Sequence, residues 1–222
     1  MFKSHLPTSL KRLTLFEDFN EDLNAVFREP RRNPYPENFA RIPKSSVGTA
    51  LAKASLCLEQ LSAAFLVDAK DFFQAYQPGW IWKDLVSLAL TSRLLNSTEG
   101  VDNINNMLHA AGVAAKNMPK LQTMEIWNGE KGNACVFRYM IADGFPTLTW
   151  RSVWDLRLES RVVEIWESVS LEHSGQPLCV DAPQVPKGTI RSHAFAIDQL
   201  LLKQQILRPI SLYQIRKEEN KK

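Results

Sequence analysis

A short leucine-rich phrase recurs along the first 130 residues and constrains this chain more than any other feature. Leu10-Lys11-Arg12-Leu13-Thr14-Leu15 reads LxxLxL, and Leu85-Val86-Ser87-Leu88-Ala89-Leu90 repeats it. Leu121-Gln122-Thr123-Met124-Glu125-Ile126 repeats it with close substitutes, and Leu58-Glu59-Gln60-Leu61-Ser62-Ala63 is a weaker copy. Alternate positions of such a phrase point to opposite faces of a strand, so each copy offers one apolar side to a core. One copy cannot bury that side alone; several stacked in parallel bury a continuous ridge.

Segments with helical spacing separate the phrases. Val47, Leu51, Ala54 and Leu58 share a face, with Ser45 or Ser46 placed as N-cap. Asp68 is placed to cap a helix carrying Phe72, Phe73 and Tyr76 that Pro78-Gly79 ends. Ile104, Met107, Leu108 and Ala111 form a third stripe ahead of Asn117 and Pro119. This alternation predicts a parallel sheet with helices on its outside. The repeat is irregular: Leu10, Leu58, Leu85 and Leu121 lie 48, 27 and 36 residues apart, against about 20–29 in regular leucine-rich repeats. Asp18, Leu66, Arg93 and Gly129 stand where regular repeats place an asparagine, so that hydrogen-bond ladder is absent. The longest interval holds Arg28-Glu29-Pro30-Arg31-Arg32-Asn33-Pro34-Tyr35-Pro36, which reads as an exposed proline-rich loop.

The last third changes character. Ala134 to Ile141 is strand-like, Ala142-Asp143-Gly144-Phe145-Pro146 is turn-like, and Thr147 to Leu158 is again strand-rich, a β-hairpin. Ser160 starts an amphipathic helix with Val163, Trp166 and Val169 that ends near Ser174-Gly175. A short strand from Leu178 to Val180 follows, and then a helix from about Ser192 with Ala196, Ile197, Leu200 and Leu201 inward. The tail from Lys217 is expected to fray. The expected fold is α/β. An irregular leucine-rich-repeat-like parallel strand/helix layer over 1–130 is followed by a C-terminal β-hairpin plus helices over 131–222, packed on it as one continuous domain.

Composition excludes more than it assigns. The formal charge is +3 on 222 residues, far from the concentrated basic face of a nucleic-acid domain. Cys57, Cys135 and Cys179 are widely spaced and lack CxxC pairing, which argues against a disulfide framework and a zinc site and for buried thiols in a reducing compartment. No secretory h-region and no membrane-spanning apolar run is visible. The expectation is a cytoplasmic or nuclear protein without nucleic-acid or membrane partners and without a cofactor.

Several segments together resemble a known family: Val67-Asp68-Ala69-Lys70-Asp71-Phe72-Phe73, Leu85 to Ser92, Met124-Glu125-Ile126-Trp127-Asn128-Gly129, Leu148 to Arg157, and Pro209 to Arg216. They are similar to the C-terminal region of uncharacterised F-box-type proteins of filamentous fungi, over nearly the whole chain. The resemblance implies a substrate-recognition subunit of a cullin-type ubiquitin ligase, in which an N-terminal F-box docks a Skp-family adaptor and the repeats hold the substrate. Leu6-Pro7 matches the opening of an F-box but leads directly into the first strand phrase. No adaptor-binding residue carries over, and the adaptor is expected only if an F-box is supplied elsewhere.

If the phrases stack in register, the positions between the leucines line one concave face. These are Arg12, Thr14 and Phe16, then Gln60, Ser62 and Ala64, then Ser87, Ala89 and Thr91, then Thr123, Glu125 and Trp127. Solenoids bind through that surface, so the expected partner site is this row, unless the C-terminal unit or a long loop covers it. The six tryptophans read as core packing apart from Trp127, which falls opposite the leucine ridge. Loss of Trp127 or Phe16 is therefore expected to abolish partner capture without unfolding.

Catalytic groupings are poor. Ser192-His193 with Asp198 supplies triad residue types at the wrong spacing, and Glu172-His173 with Asp181 lacks a second histidine for a metal. Arg28, Arg31, Arg32, Arg41 and Lys44 form a basic loop region whose plain reading is solvation. The reading that results is a non-catalytic protein–protein interaction module. The alternatives left open are a hydrolase-like enzyme with a site not readable from spacing, and a truncated fragment without independent function.

Overall fold

The computed structural model describes residues 7, 9–17, 43–203, 206 and 209–219. The proline-rich loop and Arg28, Arg31, Arg32 and Arg41 lie outside the described residues, as does Asp18.

The four leucine phrases form four adjacent parallel strands. β1 (Arg12–Phe16), β2 (Gln60–Asp68), β3 (Ser87–Thr91) and β4 (Thr123–Glu130) each begin at the third position of their phrase. Arg12, Gln60, Ser87 and Thr123 stand side by side, and Leu13, Leu61, Leu88 and Met124 form the next row. A slip of one residue would carry every leucine to the opposite face, so the apolar pattern selects this register. Leu61, Leu88 and Met124 are fully buried, each such side chain contributing roughly 1.5–3 kcal/mol of transfer free energy.

Among the described residues, four helices cover the leucine face. They are α1 (Ser45–Ala54), α2 (Ala69–Gln74), α3 (Val101–Ala115) and α4 (Ser160–Ser174). Leu51, Phe72, Leu108 and Trp166 join Leu61, Leu88, Ile126 and Phe137 in one core. Asp68 caps α2 by accepting from the Lys70 amide at 2.9 Å, and Gly175 ends α4 in the left-handed region. α1 departs from expectation: Lys44 occupies its N-cap position without a side-chain cap, and Ser45 is already helical.

The chain is α/β, but the sheet is mixed. β5 (Asn133–Ala142) and β6 (Phe145–Ser152) extend the same sheet antiparallel to β4, and β7 (Cys179–Asp181) then pairs parallel with β6. The seven strands lie in chain order from β1 to β7. The C-terminal hairpin is thus no unit packed on a finished layer. Only Lys131 and Gly132 join β4 to β5, and a two-residue connection admits only antiparallel pairing. The turn from β5 to β6 uses Asp143 (φ 51°) and Gly144 (φ 83°), the left-handed pair of a type I′ turn. The strand-like stretch expected to reach Leu158 stops at Ser152.

A second helical layer lies on the opposite face. α5 (His193–Leu200) packs on β4 and β5 and contacts α6 (Pro209–Glu219). Ala194, Ala196, Ile197, Leu200, Ile206 and Ile215 form a second core with Ala64, Phe65, Ala89, Trp127 and Val136. Leu201, expected inward, is largely exposed because it takes the left-handed conformation that ends α5. Of the tail expected to fray, Lys217 to Glu219 continue α6, and residues 220–222 lie outside the described residues. Cys135 is buried, but Cys57 and Cys179 are exposed, so burial does not describe all three thiols. Among the described residues, no helix is long and apolar enough to cross a membrane.

Candidate interaction face

The sheet face opposite the leucines carries the residues expected to bind a partner, and the register brings them together. Thr14, Ser62, Ala89 and Glu125 form one continuous row across β1 to β4, which Arg138 and Thr149 extend. Exposure divides the face. Arg12 and Thr14 are exposed; Phe16, Gln60, Ser87 and Thr123 are half-buried; Ser62, Thr91, Glu125 and Trp127 are buried. The expected open row is therefore open only along β1 and the starts of β2 to β4. Glu125 and Trp127 lie beneath the second helical layer, which packs on β4 and β5, and Thr91 lies under the bulge of β2.

Trp127 and Thr91 have structural roles instead of an exposed one. Strand β2 bulges between Ala63 and Asp68, where its pairing with β3 shifts. Phe65 sits at φ 65° within the bulge, a strained backbone for a bulky side chain. Its amide donates to Thr91 Oγ1 at 2.7 Å, and that hydroxyl donates to the Val67 carbonyl at 3.4 Å. The turned-out Phe65 ring meets Trp127 edge-on at 5.2 Å and Phe16 at 5.7 Å, a favourable geometry for aromatic pairs.

The centre of the face is charged. Arg138 Nε donates to Glu125 Oε1 at 2.7 Å, with both side chains almost wholly buried. The guanidinium also donates from Nη2 to the Leu200 and Leu201 carbonyls at 3.1 and 2.9 Å. Arg151 donates to the Gln199 carbonyl at 2.9 Å, and Glu125 accepts the Lys203 amide on both oxygens, at 2.9 and 3.1 Å. The carbonyls ending a helix lack partners within it and carry the negative end of its dipole. Two arginines from the sheet supply both needs. Gly129 permits the contact: a Cβ there would lie 2.7 Å from that of Ala196. Arg138 and Arg151 escaped the sequence reading, although an arginine inside the apolar run of β5 was a visible signal of a buried charge.

The other candidate side chains do not converge. Ser192 Oγ accepts from the Phe195 amide as the N-cap of α5, and Asp198 pairs with Arg216. His193 faces Phe65 at 6.5 Å on the second-core side, whereas His173 faces Tyr139 at 6.1 Å on the leucine side. Burial lowers the pKa of His173, against smaller opposing effects from Glu172 and the Ala115 backbone. Burial raises that of the Cys135 thiol, which donates to the Leu95 carbonyl at 3.1 Å. Lys44 is exposed and Asp181 lies on the exposed edge strand β7. Among the described residues, no group of three or more His, Cys, Asp and Glu side chains is placed to hold a metal ion.

Residues 5–208 match the family of unknown function DUF6546. The chain belongs to this family. The DUF6546 match spans all seven strands and α1 to α5, so the covered face and its two arginines lie within the matched region. No curated protein and no solved structure matches.

Proposed function

We propose that this DUF6546 chain is a non-catalytic protein-interaction module that recognises a partner through the open rim of its sheet, formed by Arg12, Thr14, Gln60, Ser87 and Thr123. The observation that carries the reading is the shared register of four leucine phrases. Successive phrases place successive side chains at one rim, as an irregular leucine-rich-repeat-like layer does, and among the described residues the helices α1, α2 and α3 between these strands lie on the other face. The rim is polar and uncharged apart from Arg12, which suits a hydrogen-bonding protein segment better than nucleic acid. A role in substrate recognition related to F-box ubiquitin-ligase receptors follows from the family resemblance.

The test is affinity purification of the tagged chain alongside Thr14→Glu and Ser87→Arg on the rim and Glu164→Lys on the exposed side of α4. The rim variants are expected to lose a defined set of co-purifying proteins that the control keeps. Identical sets from all three would sink the rim reading. A set containing the Skp-family adaptor and cullin supports the ligase role; a set without them removes it.

A further inference from the structure

We propose that this chain forms a symmetric dimer in which β1 pairs antiparallel with β1 of a second copy, about a twofold axis through Thr14.

The sheet ends at β1, whose far side carries no strand among the described residues. Two backbone bonds fix which groups lie there. The Gln60 amide donates to the Lys11 carbonyl at 3.0 Å, and the Glu17 amide donates to the Ala64 carbonyl at 3.0 Å. Alternate residues of a strand turn their backbone groups to the same neighbour. Lys11, Leu13, Leu15 and Glu17 therefore face β2, and the N–H and C=O groups of Arg12, Thr14 and Phe16 point out from the edge. The strand runs without proline, glycine or bulge, and its single charge, Arg12, stands at one end, so little blunts it. The other edge, β7, is only three residues long, which is itself a protection. The core is also unfinished at β1. Leu13 and Leu15 are half-buried, whereas their row neighbours Leu61 and Ala63 are fully buried.

The sequence of β1 complements its own reverse. Centred on Thr14, antiparallel pairing sets Arg12 of one copy opposite Phe16 of the other, Leu13 opposite Leu15, and Lys11 opposite Glu17. Arg12, Thr14 and Phe16 then form the hydrogen-bonded pairs and use every outward backbone group. The leucines cover one another on their own face, and each guanidinium meets an aromatic ring on the opposite one. Opposite charges close both ends. Lys11 and Glu17 are exposed, and Lys11 reaches Glu59 of its own chain only at 3.7 Å. Centring on Leu13 would set Lys11 against Leu15, and centring on Leu15 would set Glu17 against Leu13. The charges select Thr14.

Sedimentation velocity on the purified full chain tests the dimer without passing through partner capture at the rim. A species of twice the 25.3 kDa chain mass is expected to grow with protein concentration between about 1 and 100 μM. A monomer throughout overturns the proposal. Thr14→Pro removes a central outward N–H but no bond to β2, so it should abolish the dimer and keep the wild-type circular dichroism. A dimer that survives Thr14→Pro overturns the edge pairing. Lys11→Glu sets like charges opposite each other and is expected to weaken dimerisation about tenfold. Adding Glu17→Lys restores opposite charges and should recover the wild-type dimer. A single variant as tight as wild type, or a double variant as weak as the single, overturns the register and the proposal with it.

Discussion

Glu125 and Arg138 stand directly opposite each other on neighbouring strands β4 and β5, joined by a 2.7 Å ion pair that the second helical layer seals from solvent. For a buried pair of this kind the desolvation cost offsets much of the Coulombic gain, whereas removal of one partner alone is strongly destabilising. Arg138→Met removes one partner of a buried ion pair while Glu125 keeps the Lys203 amide, and is expected to cost about 3–5 kcal/mol. The double variant Glu125→Leu, Arg138→Met replaces both buried partners by apolar groups and should recover at least half of that loss. Urea unfolding of the two variants decides it; a double variant no better than the single would refute the account.

Trp127 is wholly buried between Phe65 and α5. Trp127→Ala is therefore expected to destabilise the fold by about 3–5 kcal/mol, the reverse of a surface anchor that can be removed without unfolding. Calorimetry showing an unchanged unfolding temperature would restore the surface role.

Gly112 sets the distance between α3 and α4. A Cβ there would lie 2.7 Å from Ile165 Cγ2 and 3.2 Å from Trp166 Nε1, whose N–H donates to the Leu108 carbonyl. Alanine is the better helix former by about 1 kcal/mol, but overpacking costs about 1–3 kcal/mol. Net destabilisation by Gly112→Ala is the expected sign. Ile165→Ala in the same chain should recover part of it, and a stabilised Gly112→Ala protein would show that the helices separate freely.

His173 gives a dependence on pH. Burial holds its folded pKa below the ordinary 6.5, so between the two values the unfolded chain binds more protons. Stability then rises with pH through that window. The contribution is fully present above about 6.5 and is lost as pH falls through the folded pKa. His173→Gln is expected to lose less stability than wild type between pH 7.5 and 5.5 in denaturant titrations. Equal losses would place the ring in solvent.

Much of the local structure was legible. Asp68 caps its helix, Gly175 stops α4 and Asp143-Gly144 turns the hairpin, because each rests on chemistry within a few residues. Where local signals competed, the reading slipped. Two serines at 45 and 46 looked like caps, yet Lys44 holds the position. Leu201 looked inward by helical spacing, but the left-handed residue that ends α5 swings it outward. The bulge at Phe65 had no local mark, because its partner Thr91 lies 26 residues away.

By itself the sequence determined the parallel register of β1 to β4. The leucine phrases repeat one apolar side at one strand position, and any other alignment would expose it. Tertiary structure decided that β5 and β6 continue that sheet and that the opposite face is covered. β5 is buried over most of its length on both faces, and that demand can be met only with helices on both sides of the sheet. The seat of α5 depends on Glu125, Arg138, Arg151 and Gly129 meeting residues 196–203, a match between separate stretches of chain that no spacing within either one records.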